Sequence, residues 1–137
     1  MIIFNYNTHF MLDQEKKIKQ WIQHVIHKEG HNVGEINYVF CDDAYLNNIN
    51  VKYLQHDTFT DVISFDYSVG KIINGDIFIS VERVKENALK YNVTFVNEIL
   101  RVMIHGVLHY LGYKDKTEKQ TLFMRVKEDE CISLISL

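Results

Sequence analysis

Apolar residues recur along the chain with two different spacings, one typical of helices and one typical of strands. The helical spacing, in which an apolar side chain returns every three or four positions, occurs in the segments Ile18–Ile26, Leu46–Leu54, Val84–Tyr91, Ile99–Tyr110 and Phe123–Val126. The alternation typical of strands occurs in Ile2–Asn7, Ile36–Phe40, Asp61–Tyr67 and Gly75–Ser80. The pattern therefore predicts an α+β fold, in which a small mixed sheet of about four strands is flanked by about five helices.

Polar residues stand where several of these helices should begin. Asp13, Asp43 and Thr94 are the expected N-caps of three helices, because a side-chain oxygen can accept a hydrogen bond from the free backbone N–H groups of the first turn. Thr117, with Gln120 three residues later, predicts a capping box at the start of the last helix. The helix starts are thus predicted independently of the apolar pattern.

Length and composition are typical of one globular domain. The chain has 137 residues, of which 47% are hydrophobic and 24% are charged, and we expect a single domain over residues 1–137. No apolar run approaches the roughly 18 residues of a membrane-spanning helix, and the N-terminus lacks the basic residues of a signal peptide. We therefore expect a cytoplasmic protein without a membrane partner.

Neither the cysteines nor the net charge indicates a function. Cys41 and Cys131 lie far apart without a CxxC partner, so we expect buried, reduced thiols rather than a disulfide or a cysteine metal site. The net charge of −3 gives no bulk attraction to nucleic acid. Contact with RNA would need a local patch, and DNA is not expected as a partner.

The stretch HGVLHYLGYKD, at the end of the most apolar helix, carries candidate chemistry. His105 and His109 are one turn apart on the same face, so their imidazoles can reach one ion. Gly112 is the expected end of the helix, after which the chain can turn back and bring Asp115 beside the two histidines. Zinc accepts imidazole nitrogen and carboxylate oxygen, and three protein ligands leave a fourth position for water, as in catalytic sites.

The pattern alone leaves a second interpretation open. A histidine on an apolar helix face is often a core residue that is hydrogen-bonded to a carbonyl group, without any metal. Gly106, not glutamate, follows His105, so the HExxH pattern of zinc peptidases is absent. A peptidase is therefore disfavoured, and a metal site and a structural histidine pair remain the alternatives.

Three motifs resemble those of the YbeY family of bacterial rRNA maturation factors. HGVLHYLGYKD is similar to the family's HGxLHLxGYDH, in which three histidines bind zinc. INVKYLQHDTFTDVISF is similar to LNxxYRxKDxPTDVLSF, and NGDIFISVERV is similar to LGDIxISxERV. The three motifs occur in the same order as in the family, and the resemblance covers most of the chain.

The resemblance implies a metal-dependent endoribonuclease specific for single-stranded RNA. Such an enzyme takes part in 3′-end maturation of small-subunit 16S rRNA and in ribosome quality control, so rRNA, the small ribosomal subunit and its associated proteins are the implied partners. The implied fold is a small mixed sheet flanked by helices, with a zincin-like arrangement of the HxxxH helix. The implied cofactor is one zinc ion.

The chain departs from the family pattern at the third ligand. Asp115 stands where the family has its third histidine, and Lys114 stands where the family has an aspartate. The implied metal ligands and catalytic residues are therefore His105, His109 and Asp115. Because a carboxylate is a harder ligand than imidazole, manganese or another divalent metal would compete better here than in an all-histidine site.

A second departure removes an arginine. Leu54 stands where the family motif has an arginine that is associated with RNA binding or catalysis, and leucine cannot clamp a phosphate. We expect Lys52, His56, at the place of the family's lysine, and Lys114 to contact RNA. This departure keeps alternatives open: a ribosome-assembly factor of the same fold with a mainly structural metal and little cleavage, or a metallohydrolase with another substrate.

Two acidic residues have less definite roles. Asp61, in the TDV segment, is expected either to bond nearby backbone amides or to orient a ligand histidine. Glu98 lies two turns before His105, and we expect it to pair with Arg101 or Lys90 rather than to contact the ion.

Overall fold

The helices and strands of this computed structural model follow the order expected from the apolar pattern. The structure describes residues 1–54 and 60–137, so the predicted RNA contact His56 lies outside the described residues. The described elements are β1 (Ile2–Tyr6), α1 (Glu15–Lys28), β2 (Asn32–Cys41), α2 (Asp43–Leu54), β3 (Val62–Asp66), β4 (Ile72–Ser80), α3 (Val81–Lys90), α4 (Phe95–Tyr110) and α5 (Glu118–Ile132).

The strands of the described residues form one four-stranded sheet with the order β1-β2-β4-β3. β1 pairs with β2 and β2 pairs with β4 in parallel, whereas β3 pairs with β4 in the antiparallel direction. The sheet is therefore mixed. With helices packed on it, the molecule has the predicted α+β architecture, and this prediction is confirmed.

Helix α4 packs on the two central strands. Tyr38 of β2 is fully buried, and its hydroxyl donates a hydrogen bond to the Met103 carbonyl of α4 over 2.9 Å. Gly106 lies so close to Ile77 of β4 that a Cβ atom in its place would be 2.9 Å from the isoleucine Cδ1. Gly106 and the fully buried Val107 therefore form part of the inner face of α4.

Two of the predicted helix starts are confirmed. The Thr94 hydroxyl accepts a hydrogen bond from the Asn97 N–H at the start of α4. Thr117 and Gln120 form the predicted capping box at the start of α5, in which each side chain accepts from the backbone of the other residue.

The other two predicted caps are wrong, because the neighbouring residue stands at the cap position in each case. The N-cap of α1 is Gln14, which has a positive φ of 57°, while the Asp13 carboxylate accepts from the Gln14 N–H instead of capping the helix. At α2 the carboxylate of Asp42 accepts from the Tyr45 N–H over 2.8 Å. Asp43 is the first helical residue, and its own carboxylate binds a guanidinium of α3 and the Ser80 hydroxyl.

Both cysteines are buried and free, as predicted. Burial raises the pKa of the Cys41 thiol to about 12 and that of the Cys131 thiol to about 11, so both stay protonated at neutral pH. In the part of the chain that the structure describes, none of the helices has the length and apolar character needed to cross a membrane.

Candidate metal centre

The end of α4 turns the chain back toward the histidines. Gly112 adopts a φ of 103°, a conformation that glycine accepts without a Cβ clash. In this turn the Gly112 N–H donates to the His109 carbonyl, and the Tyr113 N–H donates to the Leu108 carbonyl, each over 3.0 Å. The reversal predicted from the sequence is therefore present, and it brings Asp115 beside the His109 ring.

Three ligand-type atoms meet at this point. His105 Nε2 and His109 Nε2 are 2.9 Å apart, and Asp115 Oδ2 lies 3.3 Å from the first and 3.2 Å from the second. An ion that is bound tetrahedrally at about 2.0–2.2 Å separates its ligands by roughly 3.3–3.6 Å, so small side-chain adjustments suffice to accommodate it. The structure brings the three predicted metal ligands together in one cluster.

Hydrogen bonds on the far side of each ring fix the tautomers. His105 Nδ1 lies 2.6 Å from Glu128 Oε2, and His109 Nδ1 lies 3.0 Å from the Tyr113 carbonyl oxygen. A carbonyl or carboxylate oxygen can only accept, so both Nδ1 atoms carry the proton and both Nε2 lone pairs face the cluster. When both rings are neutral, their two Nε2 lone pairs and the Asp115 carboxylate oxygen repel one another unless a cation lies between them. The donor set therefore fits a divalent metal.

Behind His105 lies an ion-pair network that joins α4 to α5. Arg101 binds Glu128 through Nη1 over 3.0 Å and Asp129 through Nη2 over 2.6 Å. Burial alone would lower the pKa of Arg101, but its hydrogen bonds to Asp129 and Glu128 raise it above the usual value. The expected pairing of Glu98 with Arg101 is therefore wrong, since the guanidinium is directed to α5.

The same network acts on the electrostatics of His105. Burial alone would lower the pKa of His105, but the hydrogen bond and negative charge of Glu128, followed by the charge of Asp115, raise it. The two carboxylates therefore stabilise a positive charge at this ring. A bound cation would compete with a proton for the same Nε2 lone pair.

Glu128 is not among the predicted site residues, although the sequence carries one signal for it. On α5 the buried residues are Met124, Glu128 and Cys131, which follow the helical spacing. An acid in an otherwise apolar stripe requires a polar partner, because an unpaired buried charge is costly. Its partners, Arg101 and His105, belong to α4 and become apparent only once the two helices pack together.

A cavity of about 270 Å³ adjoins the cluster between β3 and helices α3, α4 and α5. His105 and Asp115 line it, and so do Asp61, Glu98 and Arg125. Burial raises the pKa of Asp61, whose Oδ2 accepts a hydrogen bond from the Asn87 side chain. The atoms of the cluster thus border a polar space that a small charged group could enter.

The predicted RNA contacts lie in different places. Lys114 is exposed in the turn directly before Asp115, at the edge of a groove that Tyr113 and Phe123 also line. Lys52 is exposed on α2, which packs on β3, β4 and α3, and its Nζ lies 5.3 Å from the Tyr53 ring centroid. Leu54 is partly exposed at the end of the same helix. Of the described pair, Lys114 is the one that neighbours a cluster residue in the sequence.

Fold and site together define a class of protein. An α+β domain presents two imidazoles and a carboxylate, with their free electron pairs directed to one point at the edge of a polar cavity. A donor set of this kind can hold a divalent metal ion. The family model described as Endoribonuclease YbeY matches residues 3–136, and the chain belongs to this family, which confirms the predicted resemblance.

Individual relatives match almost the whole chain. The endoribonuclease YbeY of Flavobacterium johnsoniae is 58% identical over 134 residues, which are 98% of this chain and 96% of the relative. The protein of the same name from Cytophaga hutchinsonii is 45% identical over 135 residues, which are 98% of this chain and 94% of the relative. The solution structure of TM1509 from Thermotoga maritima is similar, with a TM-score of 0.64 and 27% identity over 96% of this chain and 89% of that protein.

Proposed function

We propose that this protein is a single-strand-specific, metal-dependent endoribonuclease of the cytoplasm. Its proposed role is rRNA processing, namely 3′-end maturation of small-subunit 16S rRNA, together with ribosome quality control. The relatives named endoribonuclease support the reaction type. The observation that carries the proposal is the convergence of His105 Nε2, His109 Nε2 and Asp115 Oδ2 within 3.3 Å of one another.

The three side chains are the proposed metal ligands and catalytic residues. When bound, a divalent ion lowers the pKa of a water molecule from about 15.7 toward about 7 and polarises a phosphoryl oxygen. His105 and His109 supply neutral Nε2 donors, because their Nδ1 protons are held by Glu128 and the Tyr113 carbonyl. Asp115 supplies the only negative charge of this three-ligand set. The cavity beside the ligands leaves space for the scissile phosphodiester.

Zinc is the proposed ion, with another divalent metal as an alternative. Replacement of a third imidazole by the carboxylate of Asp115 makes the donor set harder, which favours ions such as manganese relative to their affinity for three imidazoles. Asp115 is partly exposed, with a side-chain exposure of 39%, compared with 22% for His105. The third ligand is therefore the one most open to solvent and to exchange with water.

Positive groups near the site are proposed to hold the RNA backbone. Lys114, in the turn that carries Asp115, is the proposed contact with RNA near the ion. Lys52 and His56 are proposed to contact other parts of the RNA strand. Within the cavity, Arg101 is already bound to two carboxylates, whereas Arg125 is exposed on α5. We therefore add Arg125 as a phosphate contact that takes over part of the role of the arginine absent at Leu54.

Leu54 also favours a second candidate function. If no other cation replaces the missing arginine, the protein would act mainly as a ribosome-assembly factor on the small subunit, with a structural metal and little cleavage of its own. Metal removal would then unfold the protein or its site. It would not lower the rate of hydrolysis, because the protein would cleave little RNA to begin with. The two functions therefore predict different consequences of the same treatment.

One set of measurements tests the proposed function. Bound metal, thermal stability and cleavage of single-stranded rRNA fragments are measured for the wild type, His109→Ala and Asp115→Ala. Wild-type cleavage that is lost in both variants, together with their bound metal but not their fold, is the expected result. A wild type that binds metal but does not cleave, and that unfolds when the metal is removed, would favour the assembly factor.

A further inference from the structure

Glu128 is a buried acid whose two oxygens are both engaged. Its side chain is 7% exposed, on the face of α5 that packs against α4. Oε2 accepts the Nδ1 proton of His105 over 2.6 Å, and Oε1 accepts from Arg101 Nη1 over 3.0 Å. A carboxylate with so little exposure would be costly without these partners, so its position is determined by them.

The geometry points to Glu128 as a positioning residue for the metal centre: we propose that it orients His105 and strengthens Nε2 of that ring as a metal ligand. A carboxylate that accepts the Nδ1 proton fixes the tautomer and the ring orientation, and it raises the basicity of the opposite nitrogen. Arg101 in turn holds the carboxylate in place. This inference rests on the proposed metal site of His105, His109 and Asp115.

The two ligand histidines are supported unequally, and this makes the proposal specific. His109 donates its Nδ1 proton to a neutral backbone carbonyl, that of Tyr113, which belongs to the same turn as Asp115. His105 donates to a charged group on a different helix. Because a charged acceptor polarises the ring more strongly, His105 is the stronger metal ligand of the two histidines. Its orientation also depends on the docking of α5 against α4.

A purely structural role is the competing explanation for Glu128. The ion pair with Arg101 joins α4 to α5, so Glu128 could stabilise this contact without any effect on the ion. The chain offers a matched control, because Asp129 binds the same guanidinium over 2.6 Å, whereas the hydrogen bond to His105 comes from Glu128. Its side chain is 60% exposed. Removal of its charge therefore perturbs Arg101 but not His105.

The test compares zinc affinity in Glu128→Gln and Asp129→Asn. Each protein is stripped of metal, and its dissociation constant for zinc is measured by competition with a chromophoric chelator, beside its thermal stability without metal. Loss of an outer carboxylate of this kind typically weakens metal binding by about 10–100-fold. We expect this loss for Glu128→Gln and an unchanged dissociation constant for Asp129→Asn. Equal affinity in Glu128→Gln and wild type would overturn the proposal, whatever their stabilities.

A second variant keeps the result interpretable if the fold is weakened. Glu128→Ala removes the acceptor altogether, whereas glutamine keeps a carbonyl oxygen of the same reach. A positioning role predicts the order wild type, Glu128→Gln, Glu128→Ala in zinc affinity. It also predicts that the downfield NMR signal of the His105 Nδ1 proton is lost in zinc-loaded Glu128→Ala. Glu128 would have a structural role if the zinc affinities of the variants fell only in proportion to their metal-free stability and the His105 Nδ1 proton signal were kept.

Failure of the proposed function gives a different result. If the wild type itself binds no zinc, the metal site is wrong, and all variants resemble it. If the wild type binds zinc tightly but does not cleave RNA, the endoribonuclease proposal fails while the role of Glu128 is still measured. The zinc titration of the wild type therefore separates the two claims.

Discussion

The ring of Tyr110 lies directly over Gly75. A Cβ atom on residue 75 would be 2.4 Å from the Cε2, Cζ and hydroxyl atoms of Tyr110, which is too close for any pair of nonbonded atoms. The tyrosine hydroxyl is also 3.0 Å from the carbonyl oxygens of Phe65 and Asp76. Tyr110 is the last residue of α4 and directly follows His109, so this contact fixes the end of the helix that carries the candidate metal ligands.

Gly75→Ala is therefore expected to disturb both the fold and the site. Overpacking of this kind costs about 1–3 kcal/mol, and relief of the clash must move Tyr110 together with the end of α4. We predict a lower thermal stability and a weaker affinity for zinc, measured by thermal unfolding and by chelator competition. A matched test is Gly75→Ala in a Tyr110→Leu background, where most of the added cost should disappear. An equal cost in both backgrounds would show that the ring is not the cause.

Asp115→His tests whether the carboxylate determines the choice of metal. The substitution restores a third imidazole at the place of Asp115, and it should shift the ratio of zinc to manganese affinity toward zinc. Competition titrations with both metals measure this ratio. Lys116→Gln in the same turn is the control. The backbone N–H of Lys116 donates a hydrogen bond to Gln120 Oε1, and this bond does not depend on the lysine side chain. A ratio that is unchanged by Asp115→His would mean that the two imidazoles alone set the preference.

Glu98 makes stability depend on pH in a defined direction. Burial raises the pKa of this carboxyl from its usual value of 4.5, and the negative charge of Asp61 adds to the effect. The folded state therefore holds this proton more tightly than the unfolded state, so stability falls as pH rises from 4.5 through the raised pKa. Glu98→Gln removes the titration, and it should gain stability over the wild type at pH 7 but not at pH 4.

The control for this experiment is an acid that is exposed, whereas Glu98 is buried. Glu118 is exposed in the first turn of α5, where a negative charge stabilises the helix, so Glu118→Gln should give no gain at pH 7. Thermal unfolding of both variants and the wild type at several pH values measures the difference. A Glu98→Gln variant that is less stable than the wild type at pH 7 would show that ionised Glu98 makes a favourable contact.

Arg125→Gln tests the proposed phosphate contact in the cavity. A hydrogen bond to a charged group contributes about 1.5–3 kcal/mol, so its loss should lower kcat/KM for single-stranded RNA by about tenfold or more. Zinc affinity and thermal stability should stay close to those of the wild type, because Arg125 is exposed and is not one of the ligands. Lys17→Gln, an equal change of charge on the exposed side of α1, is the control. Similar losses in both variants would indicate bulk charge rather than a specific contact.

The parts of the site that depend on local spacing could be predicted from the sequence. His105 and His109 share a helix face, Gly112 ends the helix, and Asp115 lies within one turn beyond it. Each of these relations is set by backbone geometry over a few residues. The order of helices and strands was predictable for the same reason, because the apolar spacing differs between the two.

The parts that depend on packing between distant segments could not be predicted. Glu128 reaches His105 only because α5 docks against α4, and no spacing in the sequence defines that register. The wrong cap at Asp43 has a similar origin, since its carboxylate is bound by Arg83 of α3 and Asp42 takes its place as the cap. Competing tertiary partners therefore decided which of two adjacent acids caps the helix.

In the proposed mechanism, RNA cleavage needs one ion that is held by His105, His109 and Asp115. The most direct measurement is the cleavage rate of a single-stranded rRNA fragment by protein that is stripped of metal and then titrated with zinc. We expect no cleavage at the start, recovery that saturates at one ion per chain, and no recovery in His109→Ala. Cleavage at the full rate by the stripped wild type would contradict this mechanism.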